Sequence, residues 1–360
     1  MYMKNLIVLL LLLLPTSALF SQGGITTPNT PSPAASVSQT VGISTIKVAY
    51  SRPSVRSRAV WGTLVPYGWN KQQFGNHVEA PWRAGANENT VLTLTHAATI
   101  EGKTIPAGSY GLFLTINKDN TGEVVLSTDY RSWGSFWYEP AHDALRAPIK
   151  IRDIAHTEIL TYDFVNLDKN SAELVMSWEK KQFPIKITFA VDDIVMANAT
   201  EELKGPKGFS WQGYSSAANY ALQNKTNIDQ ALTWIDQAVA QNKSFTTLRI
   251  KSGLLKEKGK TTESELLLKE ALAIATEAEI NAYGYQLIAQ GDMDKSIEIL
   301  ALNTTRYPKS ANAWDSLGEA YALKGDKTNA IKNFKKSLSM NPPENVKLNS
   351  EKYLKDLGAL

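Results

Sequence analysis

The feature that most constrains this chain is a change of period at Asp192-Asp193. Before it, apolar residues alternate every second position. After it, they recur with a helical period and the sequence repeats itself at 34 residues. In the last copy, Gly318, Tyr321, Ala330, Phe334 and Pro342 follow Trp314, and Gly284, Leu287, Ser296, Leu300 and Pro308 stand 34 residues earlier. Two fainter copies precede these, one built on Ala231, Ile235 and Ala238, the other on Leu268 and Ala271. A unit repeated at that spacing buries its apolar face only by stacking on its neighbours, so the second half reads as an α-solenoid. Gly284 and Gly318 mark points where two helices approach too closely for a side chain.

The run Trp314-Asp315-Ser316-Leu317-Gly318-Glu319-Ala320-Tyr321 resembles the tetratricopeptide repeat. About four such repeats are expected over 212–344, with a capping helix over 345–360 shielding the last apolar face. The resemblance implies a groove lined by first-helix residues such as Asn281, Tyr285, Asn312, Asp315 and Glu319, and a protein or peptide partner held there. Asp315 stands where a carboxylate-binding repeat would carry a basic residue, so the groove reads as polar and mildly acidic.

The first half behaves differently. Ile46, Val48 and Tyr50 alternate with polar or small neighbours. Tyr110, Leu112, Leu114 and Ile116 share one face, and Leu160-Tyr162-Phe164, Leu174-Met176-Trp178 and Ile185-Ile187-Phe189 read as three further strands, with Lys180-Lys181 turning the chain between the last two. Seven to nine short strands with close turn signals predict an all-β domain, an antiparallel β-sandwich, over 37–195. A linker is expected over 22–36 and a second over 196–211. Long irregular stretches fall at 66–81 and 129–147, and loops of that length in a compact domain usually carry function or mobility.

At the N-terminus, Lys4 precedes an unbroken apolar run from Leu6 to Leu14, closed by small and polar residues. Nine residues rise about 13–14 Å as a helix, against about 30 Å of bilayer core. A cleaved signal over 1–21 is expected, giving an exported protein, periplasmic or secreted, without a membrane span. The chain has no cysteine, which excludes disulfides, thiolate metal sites and a cysteine nucleophile. With 38 basic and 35 acidic residues, the net charge of +3 does not point to nucleic acid.

Catalytic signatures are sparse. The histidines His77, His96, His142 and His156 show no ligand spacing, and no P-loop, dinucleotide fingerprint or nucleophile elbow occurs. No metal and no cofactor are expected. The chemistry-bearing residues crowd into 50–89, where Arg52, Arg58 and Arg83 offer guanidinium forks suited to a carboxylate or phosphate. Glu88 is either their charge partner or a general acid/base, Trp82 and Asn87 adjoin, and Trp133 sits in the other long loop. Loop indoles also suit a glycan, whose apolar ring face stacks on them. Three functions follow: a non-enzymatic binding or scaffolding protein acting through the repeats, which is favoured; a glycan- or small-anion-binding β module; and a hydrolase-like enzyme using Glu88 with Arg83.

Ser36-Val37-Ser38-Gln39-Thr40-Val41-Gly42, Tyr50-Ser51-Arg52-Pro53, Leu64-Val65-Pro66-Tyr67, Trp82-Arg83-Ala84-Gly85-Ala86-Asn87-Glu88 and Ile105-Pro106-Ala107-Gly108-Ser109-Tyr110 together resemble the domain of unknown function 2911 family over about 35–190. The resemblance implies an exported protein of Bacteroidetes-type bacteria and brings no mechanism. Many members pass from the Val-Pro-Tyr motif to the Trp-Arg motif in a few residues, whereas here Gly68–Pro81 intervenes.

Overall fold

A computed structural model describes residues 31–360, so the expected signal at 1–21 and most of the expected linker at 22–36 lie outside the described residues. The chain divides into two compact units between Phe189 and Ala190.

The first unit holds β1 (Ala34–Val41), β2 (Ser44–Ser51), β3 (Asn70–Lys71), β4 (Glu79–Ala80), β5 (Val91–Leu94), β6 (Ala98–Ile100), β7 (Lys103–Ile105), β8 (Gly108–Leu114), β9 (Thr121–Ser127), β10 (Asp143–Lys150), β11 (Arg152–Val165) and β12 (Ser171–Thr188). They pair into a six-stranded sheet β1-β2-β5-β8-β9-β10, a four-stranded sheet β11-β12-β6-β7 and the small ribbon β3-β4. Ile46, Val48 and Tyr50 are buried as the alternation demands. Rings from the two larger sheets meet where Tyr50 packs edge-on against Tyr162 with centroids 4.7 Å apart.

One strand corrects the sequence reading. Lys180-Lys181 is not a turn, because β12 runs unbroken from Ser171 to Thr188. Its buried side chains change parity instead, from Leu174, Met176 and Trp178 to Phe183, Ile185 and Ile187. The register with β11 shifts on either side of the Thr157–Glu179 pair, and Glu179 has φ 53°. A bulge moves the apolar set by one residue and bends the strand, keeping both halves inward without ending the pairing.

The segment between the Val-Pro-Tyr and Trp-Arg motifs forms the β3-β4 ribbon, tied to the loop before β10. The backbone N–H of Asn76 donates to the Phe136 carbonyl at 3.0 Å. The Asn76 side chain donates to the Tyr138 carbonyl at 2.7 Å. The two long loops therefore brace each other, and aromatic contacts of Phe74 with Phe136 and Trp137 reinforce the junction.

The second unit is helical: α1 (Val191–Glu202), α2 (Trp211–Asn224), α3 (Ile228–Gln241), α4 (Phe245–Glu257), α5 (Thr261–Ile274), α6 (Glu277–Ala289), α7 (Met293–Arg306), α8 (Ala311–Lys324), α9 (Lys327–Leu338) and α10 (Glu344–Asp356). The stretch 196–211, expected as a linker, carries most of α1 and a 3-10 turn at Pro206–Phe209. Met196 explains this, since it is buried in the cluster formed by α2, α3 and α4. Helices α2 to α9 pack as successive antiparallel pairs, and α10 covers α8 and α9. Both repeat glycines serve close approach: a Cβ at Gly318 would lie 2.9 Å from the Phe334 ring, and one at Gly284 2.5 Å from Leu300. No helix of the described residues is long and apolar enough to cross a membrane.

Candidate functional site

In the first unit, the Trp-Arg motif is a loop fixed from several directions. The Ala84 carbonyl accepts from the Tyr162 hydroxyl at 2.9 Å and from Thr90 Oγ1 at 3.1 Å, holding Ala84 at φ 52°. Gly85 follows because a Cβ there would stand 2.7 Å from Thr90 Oγ1 and 3.3 Å from the Ser51 carbonyl. Asn87, at φ 59°, donates from its side chain to the Ser32 carbonyl at 3.1 Å. Its own carbonyl accepts from Arg83 Nη1 at 2.6 Å. Left-handed backbone at non-glycine residues costs about 1–3 kcal/mol each and persists only where the surroundings over-determine it. Gly85→Ala is therefore expected to lower the stability of this unit by about 1–3 kcal/mol through overpacking. Chemical denaturation checks it, and an unchanged midpoint would show that the loop is not pinned this way.

The loop presents the Arg83 guanidinium. It lies 4.8 Å from the Phe136 ring centroid and touches Gly134, where a Cβ would come within 2.5 Å of it. Burial pushes its pKa below the ordinary arginine value, though a guanidinium stays charged in a protein. Arg83, Arg58, Trp82 and Asn87 line one cavity of about 340 Å³. Arg56 lines it too, and was not singled out from the sequence as a site residue. Trp178 forms part of the wall, stacked on Trp82 with centroids 5.7 Å apart and planes 16° from parallel.

Three expected members stand elsewhere. Arg52 ties its loop to β11, donating from Nε to the Leu160 carbonyl at 3.0 Å and from Nη2 to Thr161 Oγ1 at 2.8 Å. Glu88 is exposed, does not line the cavity and pairs with no arginine among the described residues; Arg83 turns to the Asn87 carbonyl instead. The Glu88–Arg83 ion pair expected as one alternative is thus not formed. Trp133 is 51% exposed and also lies outside the cavity.

In the second unit, the expected groove residues fall on α6 and α8, and three of them already have partners. Asp315 is only 4% exposed and accepts from Asn349 at 2.8 Å and from the Ser350 hydroxyl, both on α10. Burial raises its pKa above the usual carboxylate range. Glu319 accepts from the Tyr285 hydroxyl at 2.9 Å. These residues anchor neighbouring helices rather than offering free polar groups. Asn281 and Asn312 are half-buried, and the Asn281 side-chain oxygen is buried without a hydrogen-bond partner. Arg249 holds the matching position one pair earlier, being the fifth residue of α4 as Asn281 is of α6 and Asp315 of α8. Its side chain has no hydrogen bond or ion pair among the described residues, and its guanidinium lies 5.8 Å from the Tyr283 ring centroid. Burial lowers its pKa.

Residues 32–187 match the family model described as Protein of unknown function (DUF2911), and residues 311–344 match a Tetratricopeptide repeat model. The chain thus carries a domain of the DUF2911 family followed by tetratricopeptide repeats. No curated protein matches it. Similar solved structures include "Crystal structure of YrrB: a TPR protein with an unusual peptide-binding site", 17% identical over 45% of this chain and 84% of that one, with a TM-score of 0.27. The Pseudomonas aeruginosa pilF structure is 20% identical over 42% of this chain and 71% of its own, with a TM-score of 0.26. For MamA the identity is 19% over 42% and 89%, with a TM-score of 0.27.

Proposed function

We propose that this is an exported bacterial protein, periplasmic or secreted, that works without catalysis as a binding or scaffolding protein. Its helical pairs hold a protein or peptide partner, and its two larger sheets close as a β-sandwich. The observations that carry the partner reading are the buried Asn281 side-chain oxygen, which has no hydrogen-bond partner, and the half-buried Arg249 guanidinium, which has no acceptor among the described residues. At the equivalent level of α8 the face is occupied, because Asn349 and Ser350 of α10 meet Asp315. At the level of α4 and α6, the Arg249 guanidinium meets only the Tyr283 ring, and the Asn281 carboxamide oxygen has no hydrogen-bond partner among the described residues. Leaving the buried Asn281 oxygen unpaired costs about 1–3 kcal/mol. A peptide meets both needs, offering backbone N–H to Asn281 and a carbonyl or carboxylate to Arg249.

The test uses the full chain as bait in an envelope fraction, followed by affinity measurement with the captured partner. Arg249→Glu is expected to weaken binding by about 30-fold or more, since it removes one member of a charge-assisted contact and adds repulsion. A partner held equally well by Arg249→Glu but released by changes confined to residues 32–187 would sink the reading.

A further inference from the structure

The cavity beside the Trp-Arg motif has a composition that the scaffolding role leaves unused. Arg56, Arg58 and Arg83 all line it, and none of the lining residues is acidic. A guanidinium carries five N–H donors. Arg58 engages two nitrogens, donating from Nε to the Val55 carbonyl at 2.9 Å and from Nη2 to the Ser54 carbonyl. Arg83 engages Nη1 alone. No side-chain hydrogen bond of Arg56 is formed among the described residues; only its backbone N–H is engaged, with Glu158 at 2.9 Å. Glu158 is the nearby acid, but it stands outside the cavity wall and also meets His156 Nε2 at 3.1 Å. Most of the cationic donors are therefore left over.

Another part of the lining is apolar. Leu64, Val65 and the stacked pair Trp82 and Trp178 form it. Trp178 is 1% exposed, and its indole N–H is buried without a partner. A buried donor of this kind costs free energy until something accepts from it. The backbone around the cavity is strained at several points as well, with Arg56 at φ 49°, Ser57 at 56°, Ala84 at 52° and Asn87 at 59°. Such positions persist only where the surrounding structure over-determines them. A volume of about 340 Å³ sits at the small end of ligand cavities.

We propose that this cavity binds a small organic anion, its oxyanion head on Arg56, Arg58 and Arg83 and its compact apolar body against Trp82 and Leu64. A bare hydrated ion would leave the apolar wall unused, and a neutral molecule would leave the guanidinium groups without acceptors. A carboxylate and a phosphate monoester share the required head, because both match the guanidinium fork. This site is independent of the peptide site on α4 and α6, so one reading can fail while the other stands.

Calorimetric titration of the full chain at low salt tests it, with benzoate and phenyl phosphate as probes and benzyl alcohol as the neutral control. At least one anion is expected to bind about 10-fold or more tighter than benzyl alcohol, and which one binds identifies the head group. Arg56→Ala is the cleanest variant, since its side chain holds no turn together, and should weaken that anion about 5- to 10-fold at an unchanged melting temperature. Trp178→Phe removes the N–H together with part of the apolar wall, and is expected to cost about 3- to 10-fold. Equal binding of benzyl alcohol, no binding of either anion at millimolar concentration, or affinity untouched by Arg56→Ala would each overturn the proposal.

Discussion

Trp178→Ala is expected to destabilise the first unit by about 3–5 kcal/mol, the usual cost of truncating a large buried aromatic to alanine. Trp178 is 1% exposed and touches two other rings, stacking on Trp82 and meeting Trp61 edge-on with centroids 6.0 Å apart; Trp61 in turn lies 5.3 Å from Phe183. Removing the indole opens a void beside a loop whose shape is set by neighbours rather than by regular hydrogen-bonded structure. The void and the lost ring contacts act together. Denaturant unfolding with a probe in residues 32–187 reads the effect. A loss below about 1 kcal/mol would mean that the site collapses around the change, and that the aromatic cluster does not organise the loop.

The second large effect lies in the repeats. Phe334→Ala is expected to cost the helical unit about 3–5 kcal/mol. Phe334 is completely buried, packs against Leu354 of α10, stacks on Tyr353 with centroids 5.0 Å apart, and fills the space that Gly318 leaves open. In a stacked array each pair leans on its neighbours, so the last pair and α10 should loosen before the rest. Hydrogen exchange checks this: amides of α9 and α10 should exchange faster at unchanged protection of α2 and α3. Uniform loss across all ten helices would show that the array unfolds as one block.

How much of this could be read from the chain itself depends on whether the signal is local. Ile46, Val48 and Tyr50 alternate, and all three are buried. The repeat glycines announce their close contacts because a 34-residue period exposes them. The β12 bulge was legible only as a change of parity between Trp178 and Phe183, which a turn at Lys180-Lys181 explains equally well in sequence. Arg58, Trp82, Arg83 and Asn87 do share a cavity. Arg52 and Glu88 do not join them, because backbone direction decides side-chain direction, and motif adjacency does not report it. Trp178 reaches the cavity only through the pairing of distant strands, a signal no short pattern holds. Asp315 misled for a related reason. Its partner Asn349 lies 34 residues later, so the repeat period itself pointed to the contact that removes Asp315 from the open face.

The two units suggest a division of labour in which the repeats take a partner and the β domain takes a small anion. The partner reading is the central claim, and hydrogen exchange of the full chain with and without the captured partner tests it most directly. Protection is expected on α4 and α6, around Arg249 and Asn281, and should vanish in Arg249→Glu. Protection confined to residues 32–187, with α4 and α6 exchanging as in the free protein, would contradict the account.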